Sequence, residues 1–360
     1  MTTETSGLLL GYFPLWGASL DSDSVGLMGG TVAAYVPSAD EWRQVTKFDV
    51  WMERFRNTPL SPDGPEPPVC LVVVETPGDK EDLGHALGRL GNTMIANADD
   101  AVLALRLLKA GWFLDPGLSE RIFSFGLLNQ RLVGPYRQAF INGVPENAPP
   151  GYRLSIGELA RSQDQAAPTK NVWRLIQQYR KVKPHASADI SIENFHRSYG
   201  YQLPGTQRAV FLFMALDAML GGMSVPRFRG VEITCPFRAR ITAALQTLPH
   251  AEAGFDSNEE ASWLDSRGRE IRNAVAHGNL TTIAEKAEKN YNRIQSIVRL
   301  ILRQYLEFSV KWATQSTQIS SQLAIPDQSA PAAVYNKLLE AQSYGNIDAS
   351  DLLRPAISAF

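Results

Sequence analysis

Apolar positions recur along the chain with two different periods, and the change falls near residue 154. Before it, short apolar runs stand between turn-forming residues: LLLGYF (8–13), TVAAYV (31–36) and CLVVVE (70–75), with clusters such as SPDGPEPP (61–68) between them. Runs of this length and setting predict strands. One helical stretch interrupts them, NADDAVLALRLLKAG (97–111). Asn97 or Asp99 is placed to cap it and Gly111 to end it. A further β-like run lies at RIFSFGLL (121–128). Beyond residue 154 the period becomes helical almost throughout. Helices are predicted over 170–183, 191–199, 205–222, 236–248, 257–278 and 282–313, with a short one in VYNKLLEAQ. The segment 205–222 is apolar nearly all round and predicts a central, buried helix. Ser257, followed by acids in the first turn, looks like a helix cap. The polar stretch 314–322 and the Pro-containing 325–333 read as a linker.

The expected organisation is therefore α+β: an N-terminal mixed, β-containing domain over 1–153, an all-α bundle over 154–315, and a linker with a short helix over 316–360. Charge follows the same division. Residues 1–150 carry 11 Lys/Arg against 18 Asp/Glu, and the remainder 24 against 19. An acidic front half and a mildly basic back half suit two units with different tasks. The net charge of -2 excludes a chain that is basic overall and binds nucleic acid by charge alone. Two cysteines, Cys70 and Cys235, lie far apart, and no Cys/His zinc spacing occurs. No apolar run reaches the ~20 residues of a membrane span, and the N-terminus lacks a basic signal region. The expectation is a soluble, cytoplasmic protein without metal or cofactor. Walker, GxGxxG and GxSxG motifs are absent.

Candidate chemistry concentrates in EIRNAVAHG (270–278). On a helical wheel at ~100° per residue, Leu264, Gly268, Ile271 and Val275 form one narrow stripe, which should face the core. Asn273 and His277 lie one turn apart on the opposite side, with Arg272 on the flank. Gly278 suits a left-handed C-cap. The plain alternative is a solvated histidine favoured by the helix dipole. The functional one is an imidazole that titrates near neutrality and moves protons, beside a guanidinium that forks onto anionic oxygens. Such a set suits RNA cleavage by the ribose 2′-hydroxyl. Spacing alone is weak evidence, since Arg180 and His185 repeat it across the helix-breaking Pro184.

With these neighbours, RNAVAHG (272–278) resembles the signature of the HEPN superfamily, most closely its Apea-like branch: Arg, a polar residue, three variable residues, His and Gly at the end of the third helix of a small bundle. MALDAML (214–220) is similar to that family's first-helix acidic motif, with Asp217 where Glu is usual. The likeness covers roughly residues 165–313, and ADDAVLALRLLKAG (98–111) looks like the region preceding the bundle in large Apea-like proteins. It implies a metal-independent endoribonuclease acting as a homodimer. Arg272, Asn273 and His277 would be the catalytic residues, two copies of which meet across a two-fold axis, with Asp217 in support. It also implies a role in antiviral defence or toxin systems, with a regulatory trigger, such as a phage component, sensed by residues 1–153. A non-catalytic RNA- or nucleotide-binding module, and the toxin half of a HEPN–nucleotidyltransferase pair, stand as alternatives.

Asp217 lies in an apolar helix, where a carboxylate is costly unless paired; Arg272 or a backbone group is the expected partner. The connector VPRFRGVEITCPFRAR (225–240) offers Arg227, Arg229, Arg238 and Arg240 against one acid, Glu232. It could follow an RNA backbone or be an ordinary solvated loop and helix start. Arg299 and Arg303 are expected to be surface charges.

Overall fold

A computed structural model of the chain describes residues 9–15, 18–20, 24–28, 32–36, 69–75, 83–108, 123–127, 135–136, 152–154, 168–182, 186–200, 203–221, 227–228, 231–232, 236–248, 256–276, 280–323, 331–345 and 350–353. The chain divides into two compact units, Met1–Trp173 and Arg174–Phe360.

The first unit is built on a six-stranded antiparallel sheet. Its strands are β1 (Leu9–Leu15), β3 (Ser24–Met28), β4 (Val32–Tyr35), β5 (Val69–Glu75), β6 (Phe123–Leu127) and β7 (Pro135–Tyr136), in the order β3-β4-β5-β1-β6-β7. A separate parallel pair joins β2 (Ala18–Leu20) to β8 (Tyr152–Leu154). The register places Phe13 and Ala34 on either side of Leu71. Phe13, Leu15, Val32 and Ala34 are all buried, so alternate positions supply the covered face. Helix α1 (Leu83–Leu108) packs over β5, β1 and β4. It begins well before the expected start near Asn97. Gly84, Gly88 and Gly91 weaken the helical signal there, and tertiary packing overrides propensity.

The second unit is a helical bundle. Its helices are α3 (Ala186–Arg197), α4 (Gly205–Leu220), α5 (Pro236–Gln246), α6 (Ser257–Trp263), α7 (Arg269–Ala276), α8 (Leu280–Leu323), α9 (Pro331–Ser343) and α10 (Ser350–Leu353), while α2 (Pro168–Lys181) spans the division between units. A five-residue π segment, Leu264–Gly268, joins α6 to α7. Helix α4 packs against α3, α7, α8 and α9; α5 packs against α6 and α9. The hairpin strands β9 (Arg227–Phe228) and β10 (Val231–Glu232) lie between α4 and α5 in sequence.

Helix α4 is the central, largely buried helix expected from its apolar sequence, packed on α3, α7, α8 and α9, and α8 shares that central place. Every residue from 297 to 309 is buried, Arg299, Arg303, Gln304 and Glu307 among them. The expectation that Arg299 and Arg303 are surface charges is thus overturned. Helix α4 leaves one face uncovered, with Met214 46 % exposed. Several of the buried polar groups are tied to one another. Tyr335 donates to the Gln304 side-chain oxygen at 2.6 Å, and the Gln304 amide donates to Thr247 Oγ1 at 2.7 Å. Tyr305 and Ser187 share a hydroxyl bond of 2.7 Å. Buried Arg208 lies 4.6 Å over the Tyr291 ring and bonds Glu288 at 3.2 Å.

Residues 314–322, read as linker, are helical and continue α8, with a break in helical geometry only at Gln315. Ile319 and Ser320 are buried, so this stretch gains tertiary contacts that its polar composition hides. Helix α9 docks against α5, α4 and α8, burying Val334, Tyr335, Leu338 and Leu339.

Burial pushes the Glu307 carboxyl up from 4.5 to about 7, and Arg303 offsets only part of that rise. Between those values the folded chain holds a proton that the unfolded chain has released, so stability falls as pH rises through the window. Glu307→Gln should flatten the decline in urea stability between pH 4.5 and about 7; an unchanged slope would refute the assignment. Tyr335→Phe strips the Gln304 oxygen of its donor and should cost about 1–3 kcal/mol in the same measurement.

Candidate functional site

The site is built on the run α6, π segment, α7. Its start is fixed by Asp256, whose carboxylate accepts the backbone N–H groups of Asn258 and Glu259, both at 2.9 Å. Asp256 is therefore the cap, and Ser257, the residue expected there, is already helical; its hydroxyl donates to the Leu245 carbonyl at 2.8 Å. Helix α6 is held to α8 by Arg293. That guanidinium lies 4.3 Å over the Trp263 ring and bonds Glu260 at 2.7 Å and Glu259 at 3.3 Å.

The next turn is not α-helical. The Arg269 N–H bonds the Leu264 carbonyl, five residues back. Single π turns of this kind are frequent at functional sites. Leu264, Asp265, Gly268 and Ile271 are buried on its inner side. A Cβ on Gly268 would crowd Leu264 Cδ1 of the same turn at 2.7 Å, and would stand in ordinary contact, 3.5 Å, with Phe213 Cζ of α4, against which the turn packs. The inward stripe read from the sequence holds at Leu264, Gly268 and Ile271. The Val275 side chain lies outside the described residues.

That contact brings Arg272 to Asp217. Arg272 Nη2 donates to Asp217 Oδ2 at 3.3 Å, and Nη1 donates to the Asn273 side-chain oxygen at 3.2 Å. The Arg272 and Asp217 side chains are 37 % and 27 % exposed. The pair is therefore a rim interaction, not a sealed one. Among the described residues, two of the five N–H donors of this guanidinium are engaged. Met214, one turn before Asp217 on the same helix, is exposed beside this rim. Glu270 binds Lys286 of α8 and Arg267 of the π segment, each at 3.2 Å, and these bonds hold its carboxyl below the usual range, that of Lys286 first.

His277 and Gly278 lie outside the described residues, so the structure brings together Arg272, Asn273 and Asp217 of the expected set. The basic connector divides. Arg227 is set in register with Glu232 across the β9–β10 hairpin, and Arg229 lies outside the described residues. Arg238 is exposed on the first turn of α5. Arg240 is occupied: Nε and Nη2 donate to Glu340 of α9 at 2.8 and 2.5 Å, and Nη1 donates to the Leu220 carbonyl at the end of α4. A cation at that helix end also meets the negative pole of the dipole. Arg240 thus ties three helices together instead of facing solvent as a free cation. Arg180, of the accidental repeat, lies 3.9 Å from Asp189, and His185 lies outside the described residues.

Sequence reasoning missed Asp265 and Arg269, which share a part-buried ion pair in the π turn; their spacing of four beside a glycine was the available signal. Among the described residues, no cluster of three or more His, Cys, Asp or Glu could hold a metal ion, and no helix is long and apolar enough to cross a membrane. No family model, curated protein or solved structure matches the chain.

A half-exposed ion pair contributes little to stability. Asp217→Asn should lower the unfolding free energy by less than about 1 kcal/mol, and by still less at high salt. A loss of several kcal/mol in denaturant titration would show that Asp217 is a buried structural charge instead.

Proposed function

We propose that the chain is a HEPN-type endoribonuclease that cleaves RNA without a metal ion. The observation that carries this reading is the Arg272 guanidinium, bonded to Asp217 and Asn273 at a partly exposed rim. Anchoring restricts the side chain, and a partly exposed fork suits phosphate oxygens. The signature residues Arg272, Asn273 and His277 supply the remaining chemistry.

In the proposed reaction the ribose 2′-oxygen forms a bond to the adjacent phosphorus while the bond from phosphorus to the 5′-oxygen breaks. One His277 takes the 2′-hydroxyl proton, and a second, from another copy of the chain, gives a proton to the leaving 5′-oxygen. Arg272 stabilises the charge that gathers on the non-bridging oxygens. The products are a 2′,3′-cyclic phosphate and a 5′-hydroxyl. Two histidines in one site call for a homodimer. Arg238, exposed on α5, remains a candidate contact to the RNA backbone, and the N-terminal unit a candidate sensor of an antiviral trigger.

The test is cleavage of single-stranded RNA by the full chain in EDTA. Arg272→Ala should reduce kcat by about 10²–10³-fold, as loss of a transition-state donor does elsewhere, and His277→Ala should abolish turnover. Wild-type rates in both variants would sink the reading. RNA binding that survives with no cleavage under any condition would favour a binding module instead.

A further inference from the structure

We infer that Asp265 and Arg269 form a positioning clamp for the site: they hold the π turn Leu264–Gly268 and so set the phase in which α7 presents Arg272 to Asp217. The inference rests on the reading of Arg272 as part of the site, and extends it to residues that touch neither Asp217 nor substrate.

A π turn is an α-helix with one residue too many, and it leaves backbone groups without their usual partners. Here the Arg269 N–H goes to the Leu264 carbonyl rather than to that of Asp265. The Asp265 carbonyl is met by the side chain of Arg269, whose Nε–H donates to it at 2.8 Å. Nη2 of the same guanidinium donates to Asp265 Oδ1 at 2.6 Å. One arginine thereby satisfies the displaced carbonyl and neutralises a carboxylate that is only 11 % exposed. A carbonyl and a carboxylate in that position are costly if left unpaired, so the clamp removes the penalty that would otherwise drive the turn back to α geometry.

The phase matters because each α-helical residue turns the chain by about 100°. Were the extra residue absorbed into regular α-helix, everything after it would rotate by about that angle relative to α6. Ile271 would leave the core and Arg272 would leave Asp217. Arg293 ties α6 to α8, whereas α7 is tied to α8 by the exposed Glu270–Lys286 pair, a weak restraint, so the geometry of the π turn decides the phase of α7.

The test combines two readouts on the full chain. The first is the side-chain Nε–H resonance of Arg272 in protein labelled with nitrogen-15 arginine, with Asp217→Asn as the reference for a broken pair. The second is single-stranded RNA cleavage. Arg269→Gln should move the Arg272 resonance to its position in Asp217→Asn, and lower kcat by about 10²-fold with KM nearly constant, as a small misplacement does. Deleting the exposed Ser266 removes the extra residue and lets α6 and α7 join as regular helix in their present phases. In that background Arg269→Gln should leave the Arg272 resonance in place, which also decides the matter if the single variant does not fold. An Arg272 resonance unmoved by Arg269→Gln overturns the clamp, as does one that moves equally in the deleted chain. If the resonance behaves as expected while the parent cleaves no RNA, the clamp stands and the ribonuclease reading falls.

Discussion

A helix covered on every side has to find partners for its polar side chains inside the protein. Helix α8 sets that condition for the second unit, since residues 297–309 are all buried. Gln304 needs Thr247 and Tyr335, and so α5 and α9 must close around it. Tyr305 needs Ser187, which draws in the start of α3. Tyr291 receives Arg208 from α4 on its ring and donates its own hydroxyl to the Ser198 carbonyl. Apolar burial supplies most of the driving force, but these directional bonds decide which helix lies where.

The candidate site is a by-product of that arrangement at its edge. Helices α4 and α7 both pack on α8 and on each other. Asp217 and Arg272 meet where the packing runs out into solvent. The pair is long for a charge-assisted bond at 3.3 Å and only partly covered. Such a pair restrains the guanidinium while leaving it partly exposed. Deep burial would have sealed the guanidinium from any phosphate.

Much of this was legible in the sequence. The inner stripe Leu264, Gly268 and Ile271 follows from spacing, and an acid inside an apolar helix called for a partner that proved to be Arg272. Strand cores such as LLLGYF and CLVVVE were marked by their turn-rich borders. Other features were hidden for physical reasons. The sheet order rests on contacts between distant segments, which no local pattern encodes. Arg299 and Arg303 read as surface residues because charge is usually exposed; what buries them is the tertiary packing of α8. The π turn could not be seen on a wheel that assumes constant pitch. Arg240 looked like one more cation in a basic run, because its partners, Leu220 and Glu340, lie on other helices.

The Arg240 clamp also bears on where the bundle can be cut. A chain shortened after residue 315 would look reasonable from composition alone. It would remove Glu340 from Arg240 and Tyr335 from Gln304, and uncover the ring faces of Phe308 that Tyr335 now covers. Helix α9 and Leu353 of α10, which is also buried, therefore belong to the hydrophobic core of this unit rather than trailing from it.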